Sequence, residues 1–251
     1  MIDNEIVNFI RSNTKLLNRE NLDDFYEAFS NSMGPFYVAS DLTEAFLELG
    51  IDPMVRLENI PTHYYWCVER EYINISTTIK SISEEGLART KLESIVIPEN
   101  VEEIHRRAFQ FNDRLTELII ESPKIKIFPT EAAKGCGSLT RVLLNKGLTA
   151  IGDSAFEDCF SLNMILIPDG VTHIHSNAFY QCESLWNVSF PKSIQFAGSN
   201  LFKRCDKLKS ISFRGSMTDF RNSFLNTDHY WMRGSNITKV LCSDGTIDIE
   251  Y

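Results

Sequence analysis

The stretch at residues 165–210, "ILIPDGVTHIHSNAFYQCESLWNVSFPKSIQFAGSNLFKRCDKLKS", consists of two consecutive copies of one 23-residue unit. Cys182 and Cys205 occupy the same place in the two copies. Cys136 and Cys159 continue the series towards the N-terminus at the same step of 23 residues. A fixed period of this length is typical of solenoids, in which each repeat forms one coil. The sequence therefore predicts a stack of similar coils.

The unit reads I-x-I-P-x-x-V-x-x-I-x-x-x-A-F-x-x-C-x-x-L-x-x, and its I-x-I alternation predicts a short strand with both isoleucines facing inward. Residues 95–117 keep this length but carry Asn112 in the cysteine place. Residues 118–141 are one residue longer. Residues 73–94 are one residue shorter and carry Leu87 in the phenylalanine place. Because coils stack about 4.8 Å apart, each place of the unit becomes a column along the axis.

The unit resembles the repeat of the BspA-like leucine-rich repeat family. The closest agreement is in "IGDSAFEDCFSL" (151–162) and "IPDGVTHIHSNAFYQCESL" (167–185), and the resemblance covers about residues 55–251. It implies a β-rich leucine-rich repeat solenoid of about seven coils. The first of these is a partial coil that begins in residues 60–72.

The pattern divides the chain into three parts. Residues 1–53 show the helical spacing of apolar residues and predict a small all-α N-terminal cap. Residues 54–214 form the predicted solenoid. Residues 215–251 resemble the terminal cap of the family, which ends in a β-hairpin. We expect Asp244-Gly245 to form its tight turn.

The predicted N-terminal cap is also the acidic part of the chain. Ile2, Ile6, Phe9 and Ile10 fall on one face of its first helix. Residues 1–52 contain ten acidic and three basic residues, which contribute −7 of the formal net charge of −9. In one interpretation, the helices have the single role of covering the apolar end of the first coil. Their acidic surface can also attract a basic partner or imitate a nucleic acid.

Cysteine and histidine side chains raise the question of a catalytic or metal site. Cys159 lies in the repeated cysteine place and is predicted to be a buried core residue. His173 and His175 are predicted to face solvent together, and such an H-x-H pair is also a common zinc half-site. One period earlier the chain has Ala150 and Gly152, so the adjacent coil supplies no third ligand. The sequence favours surface histidines and indicates no metal or other cofactor.

One column of the strand face departs from the family, which usually has threonine or another small polar residue there. Four consecutive coils carry Val96, Ile119, Leu143 and Leu166 in this column, with Glu117, Arg141 and Met164 beside it. An exposed aliphatic stripe of this kind marks a protein-binding site. Alternatively, aliphatic side chains simply pack along the sheet, or another part of the chain or a second copy covers them.

Composition and motifs narrow the function. The net charge of −9 argues against a general nucleic-acid binder. The sequence shows no secretion signal, membrane span, phosphate loop or catalytic motif. We therefore expect a cytoplasmic, non-enzymatic protein-binding scaffold that acts through the solenoid surface, with a homo-oligomer possible and no contact with membranes.

The resemblance suggests a more specific role. Intracellular proteins of this type look like products of bacteria, bacteriophages or other mobile elements, which favours an inhibitor or decoy of a host protein. Two alternatives belong to other classes. One is a nucleic-acid mimic that acts through the acidic N-terminal domain, and the other is a metal-dependent enzyme that uses His173 and His175.

Overall fold

A computed structural model describes residues 4–12, 75, 79–223 and 229–249. Helix α1, Asn4–Ser12, confirms the first predicted helix, and Ile10 on its apolar face is fully buried. The other predicted helices of the N-terminal cap, its acidic surface and the partial coil at 60–72 lie outside the described residues. In the described ranges no helix is both long and apolar enough to cross a membrane.

Each coil contributes one longer strand to the first side of the solenoid. In the first of these strands Ile95 and Ile97 are fully buried and Val96 is half-buried, as the I-x-I alternation predicts. The strands are β2 Ser94–Ile97, β4 Glu117–Ile120, β6 Arg141–Leu143, β8 Met164–Leu166, β10 Asn187–Pro191, β12 Ser210–Arg214, β13 Lys239–Cys242 and the antiparallel β14 Gly245–Asp248. They form a three-stranded sheet, β2-β4-β6, and a five-stranded sheet, β8-β10-β12-β13-β14.

The second side of the solenoid consists of two-residue strands. They are β1 Ser81–Ile82, β3 Glu103–Ile104, β5 Ile127–Phe128, β7 Ala150–Ile151, β9 His173–Ile174 and β11 Phe196–Ala197. These strands pair in parallel and form a two-stranded sheet, β1-β3, and a four-stranded sheet, β5-β7-β9-β11. In every one of these strands the second residue faces the core and is buried. The described residues make about six turns.

A column of phenylalanine rings runs through the core. Phe156 stacks on Phe128 with ring centroids 4.7 Å apart, and on Phe179 at 5.5 Å, with the planes nearly parallel in both pairs. Phe202 continues the stack beyond Phe179 at 5.6 Å. The longer coil has Ala133 in the phenylalanine place of the unit, and Phe128 from β5 supplies the ring instead. The aromatic column therefore continues through a coil whose own motif lacks the residue.

Each coil turns through an arch that contains two residues in the left-handed backbone region, four positions apart. The pairs are Glu85/Arg89, Arg107/Phe111, Glu131/Gly135, Ser154/Asp158, Asn177/Gln181 and Asn200/Arg204. Such a conformation disfavours residues other than glycine by about 1 kcal/mol or more. Here it turns the N–H along the solenoid axis, so that Asp158 donates to Tyr180 O at 2.9 Å and Gln181 to Lys203 O at 2.9 Å. Hydrogen bonds between coils thus accompany the strained positions.

The one-residue-longer coil has its extra residue at Glu121. Ile120 still pairs with Ile97 of the coil before. Ser122 then takes the place of Pro98, and its hydroxyl donates to the Val101 carbonyl. The added residue is accommodated at the end of a strand, and the columns that follow stay aligned.

The two sheets meet at a seam between β6 and β8. These strands lie side by side, but in the part of the chain that the structure describes no strand pairing joins them. Asn145 follows β6, and its buried Oδ1 accepts no hydrogen bond from any described residue. Pro168, which follows β8 in the same place of the next coil, has no N–H to donate. The seam is thus a local interruption of the hydrogen-bonded stack.

The C-terminal segment closes the stack by imitating one more arch. In the 3₁₀ helix His229–Met232, the Trp231 carbonyl accepts the Leu201 N–H at 3.0 Å, and the buried Trp231 ring packs edge-on against Phe202. The predicted hairpin is present as β13 and β14. Its turn consists of Ser243 and Asp244, one residue earlier than expected, because Gly245 already pairs with Cys242 in the strand.

Candidate functional site

The repeated cysteines form a structural column in the core. Cys136, Cys159, Cys182 and Cys205 are free thiols and are buried. Each donates its S–H to a backbone carbonyl about one coil earlier, as Cys159 does to Ala133 O at 3.3 Å and Cys182 to Phe156 O at 3.2 Å. A nucleophilic thiol needs a lowered pKa and access to substrate. These cysteines therefore lack the surroundings of a catalytic nucleophile.

Asn112 shows what the cysteine place requires. Its Nδ2 donates to Leu87 O at 2.7 Å and Phe109 O at 2.9 Å, and its Oδ1 accepts from Thr90 N at 2.6 Å. The place thus faces a carbonyl of the coil before and one of its own coil, and a small donor fits there. A thiol is a weak hydrogen-bond donor to such a carbonyl, whereas the Asn112 amide donates strong hydrogen bonds to both.

Burial raises the pKa of the Cys136 thiol to about 12, and it raises the pKa of Cys159 and of Cys182 well above the usual value. We expect Cys159 and Cys182 to react slowly with iodoacetamide in the native protein at neutral pH, because the thiolate is the reactive species. Cys242 is only half-buried and should be labelled before them. Mass spectrometry of the labelled peptides measures the order, and rapid selective labelling of Cys159 would contradict the structural role.

His173 and His175 face outward together, as predicted, but they pack with an aromatic ring. The Phe196 ring lies 6.0 Å from the His173 ring and 5.7 Å from the His175 ring. Ala150 pairs with His173 from the coil before, so this neighbour offers no ligand. Among the described residues no three side chains of the metal-binding types gather into a possible site. The geometry fits an aromatic surface cluster.

The aliphatic stripe lies on the strand face in the predicted columns. Val96, Ile119 and Leu143 are direct neighbours in the register of β2, β4 and β6. Leu166 and Met164 belong to β8, beyond the seam, and are in register with Ser189 and Asn187. The structure therefore brings the predicted residues onto one face, but divides them between two sheets.

Exposure along the stripe rises towards the seam. Val96 and Ile119 are half-buried, whereas Leu143 is 44% exposed, Met164 50% and Leu166 62%. For the first two residues, packing along the sheet accounts for the aliphatic side chain. For the last three it does not, because much of their apolar surface meets water. The apolar surface that needs an explanation is concentrated at β6 and β8.

Trp186 extends this surface and is not predicted by the sequence analysis. It is 55% exposed and directly precedes Asn187, which pairs with Met164. Its place in the unit is occupied by Thr116 and Thr140 in earlier coils, whose hydroxyls donate to the carbonyl of the preceding coil. The signal was a large aromatic residue in a column of small polar ones. We call Leu143, Met164, Leu166 and Trp186 the seam cluster.

The charged residues beside the stripe pair with each other. Arg141 donates through its guanidinium to the Glu117 carboxylate in the neighbouring strand. Ser94 on the next strand also lies within hydrogen-bond distance of Glu117, at 3.4 Å. The pair therefore forms a polar border on one flank of the seam cluster, in which the two charges compensate each other.

Comparison with known proteins identifies the repeat. Six copies of the BspA type leucine-rich repeat region are recognised in residues 58–182 and 112–232, which together exceed half of the chain. No curated protein matches the chain significantly.

Solved structures of bacterial leucine-rich repeat proteins are similar to the chain. A leucine-rich repeat protein from Bacteroides ovatus is 37% identical, with a TM-score of 0.50, over 53% of this chain and 34% of its own. The T. pallidum leucine-rich repeat protein is 26% identical, with a TM-score of 0.48, over 61% of this chain and 70% of its own. The chain thus matches about a third of the length of the Bacteroides ovatus protein. It belongs to the BspA type leucine-rich repeat family.

Proposed function

We propose that this protein is a non-enzymatic scaffold that binds a protein partner through the strand face of its solenoid, with the seam cluster at the centre of the contact. Leucine-rich repeat solenoids of this family are typically protein-binding scaffolds without catalytic groups. The observation that carries the proposal is the exposure of Leu143, Met164 and Leu166 on one strand face, with the exposed Trp186 directly before the next strand.

The composition of the seam cluster resembles that of binding hot spots. Trp is enriched among the residues that dominate binding energy, and Met adapts its shape to different partners. Exposed apolar residues scattered singly need no explanation, but a contiguous group rimmed by polar side chains does. Glu117 on β4 and its partner Arg141 on β6 border the cluster, and Ser189 lies on the opposite side, on β10.

The dimensions of the surface suit a single secondary-structure element. Neighbouring strands are about 4.8 Å apart, so the three strands β6, β8 and β10 offer a contact about 10 Å wide. A helix or an extended segment with one apolar face fits this width. We expect the partner to present aliphatic or aromatic side chains to Leu143, Leu166 and Trp186.

Replacement of Leu143 by aspartate should abolish capture of the partner and leave the melting temperature almost unchanged. The side chain is 44% exposed, and surface substitutions usually change stability by at most about 0.5 kcal/mol. A charge placed in the centre of an apolar contact would instead be buried without a counterion. An affinity pull-down from the native host and thermal unfolding of the same variant measure the two effects.

Leu241→Asp is the matched control for this variant. Leu241 lies in the same column of the strand face and is exposed to a similar extent, 42%, but it is on β13, far from the seam. It should keep partner capture. If Leu143→Asp unfolds the protein, or if both variants capture the partner as well as the parent chain, the seam cluster is not the binding site.

A narrower role as an inhibitor or decoy of a host protein stays a prediction, as does a cytoplasmic location. The captured partner decides the first point, because an inhibitor suppresses the activity of the protein that it binds. The acidic N-terminal residues give a separate prediction. A nucleic-acid mimic would lose its partner when Asp23, Asp24 and Glu27 are neutralised together, and would keep it in Leu143→Asp.

A further inference from the structure

Strand β14 forms the outer edge of the five-stranded sheet. On its inner side, just past the end of the strand, Ile249 N–H donates to the O of Thr238, the residue before β13, at 2.8 Å. In an antiparallel pair, every second residue directs both its N–H and its C=O towards the partner strand. By this alternation the backbone N–H and C=O groups of Ile247 and Ile249 point towards β13. Thr246 and Asp248 therefore direct their backbone groups outward.

This outer edge is open to pairing. Within the ranges that the structure describes, no donor or acceptor bonds to the backbone groups of Thr246 and Asp248. Both side chains are exposed, whereas Ile247 packs half-buried against the core on the opposite face of the strand. An unpaired strand edge with an exposed polar face and an apolar reverse is a template for a further strand.

We propose that β14 pairs in antiparallel fashion with β14 of a second copy of this chain, which joins two solenoids end to end through one continuous sheet. With the two-fold axis at Ile247, Thr246 lies opposite Asp248 of the second copy, and Asp248 lies opposite Thr246 of the second copy. Each of these two pairs exchanges two backbone hydrogen bonds. The same surface thus serves both partners, as a two-fold interface requires.

The side chains favour this register. The hydroxyl of Thr246 is a donor, and the Asp248 carboxylate opposite it is an acceptor. Ile247 meets Ile247 of the second copy on the apolar side, and aliphatic cross-strand pairs stabilise sheets. A register centred on Asp248 places two carboxylates opposite each other. One centred on Thr246 pairs fewer residues of β14, because it places Asp248 opposite Asp244, which lies in the hairpin turn.

The contact also continues a surface of the monomer. Leu241 lies opposite Thr246 in the hairpin and in register with Ser212 of β12. Pairing of two β14 strands extends this column across the joint into the second copy. The two strand faces then form one surface, although the interface itself is short and belongs to the weak class of contacts.

Sedimentation velocity of the full chain tests the proposal over concentrations from about 1 μM to about 1 mM, the range of weak association. We expect a monomer–dimer equilibrium. Thr246→Asp puts a carboxylate opposite Asp248 and should raise the dimer dissociation constant at least about tenfold, since both pairs become repulsive. Thr246→Lys puts an ammonium in the same position and should keep the dimer or strengthen it.

The two variants place opposite charges at one exposed position, so a change in dimerisation that follows the sign of the charge reports on the contact with Asp248. Leu143→Asp, on the seam cluster, should leave the dimer unchanged and separates this contact from the proposed binding site. A parent chain that stays monomeric over the whole range overturns the proposal. So does an equal effect of Thr246→Asp and Thr246→Lys, or dissociation by Leu143→Asp in place of Thr246→Asp.

Discussion

Replacement of Phe156 by alanine is expected to lower the free energy of unfolding by about 3–5 kcal/mol. The ring is fully buried and stacks between Phe128 and Phe179 at 4.7 and 5.5 Å. The variant loses the transfer free energy of the ring, leaves a cavity between rigid coils and interrupts two aromatic contacts of about 0.5–1.5 kcal/mol each. Since domains are stable by only about 5–15 kcal/mol, this is a large share.

Urea unfolding followed by circular dichroism measures this effect, and Phe160→Ala is the control. Phe160 lies four residues further along the same coil but is 41% exposed. Its ring covers Gly137 from outside the core. We expect a loss below about 1 kcal/mol for this variant. Similar losses in the two variants would mean that the aromatic column does not dominate the stability of the solenoid.

The second large effect is a loss of stability in alkali. The folded protein keeps the thiols of Cys136, Cys159 and Cys182 protonated, because burial raises the pKa of each one above its usual value of 9.0. The unfolded chain releases these protons near pH 9. Above that pH the native state binds more protons than the unfolded state, so stability falls as pH rises. Above pH 9 each thiol lowers the free energy of unfolding by about 1.4 kcal/mol per pH unit, and the three together lower it by about 4 kcal/mol per pH unit.

Cys159→Ala isolates one thiol from the lysines and tyrosines that also titrate in alkali. The variant should be less stable than the parent chain at pH 8, because it leaves a small cavity. As the pH rises to about 10, its deficit should shrink by about 1.4 kcal/mol, since only the parent chain still has to keep that thiol protonated. Urea unfolding at pH 8, 9 and 10 compares the two proteins. Parallel curves would show that the thiol does not control alkaline stability.

The repeat period carries most of the information about the fold. Ile95 and Ile97 are buried because residues two apart in a strand share a face. The place of Cys159 in the core follows from its recurrence at every coil, since a column of identical small residues packs without gaps. Both predictions need only the sequence and the geometry of a stacked coil. The same alternation correctly predicts that His173 and His175, on either side of the buried Ile174, face outward.

Features that depend on contacts between unlike coils cannot be predicted from the repeat period. The replacement of the missing ring by Phe128 requires knowledge of how far β5 lies from the arch. The seam between β6 and β8 has no counterpart in the spacing of the repeat, which is regular there. Trp186 does not belong to the aliphatic column, and its position one residue before the partner of Met164 follows only from the register of β8 and β10. The candidate site was therefore predicted as a column but not as a cluster.

The left-handed pairs in the arches have a consequence for which residues each coil can tolerate. A β-branched side chain is a strong outlier at positive φ, so valine, isoleucine and threonine are excluded from two positions of every repeat. The twelve observed residues obey this rule, and asparagine, which tolerates the conformation, occupies two of them at Asn177 and Asn200. Repeat boundaries can thus be aligned by forbidden residues as well as by shared ones. A coil that has lost the cysteine and the phenylalanine of the unit can still be aligned by the absence of β-branched residues from the two left-handed positions of its arch.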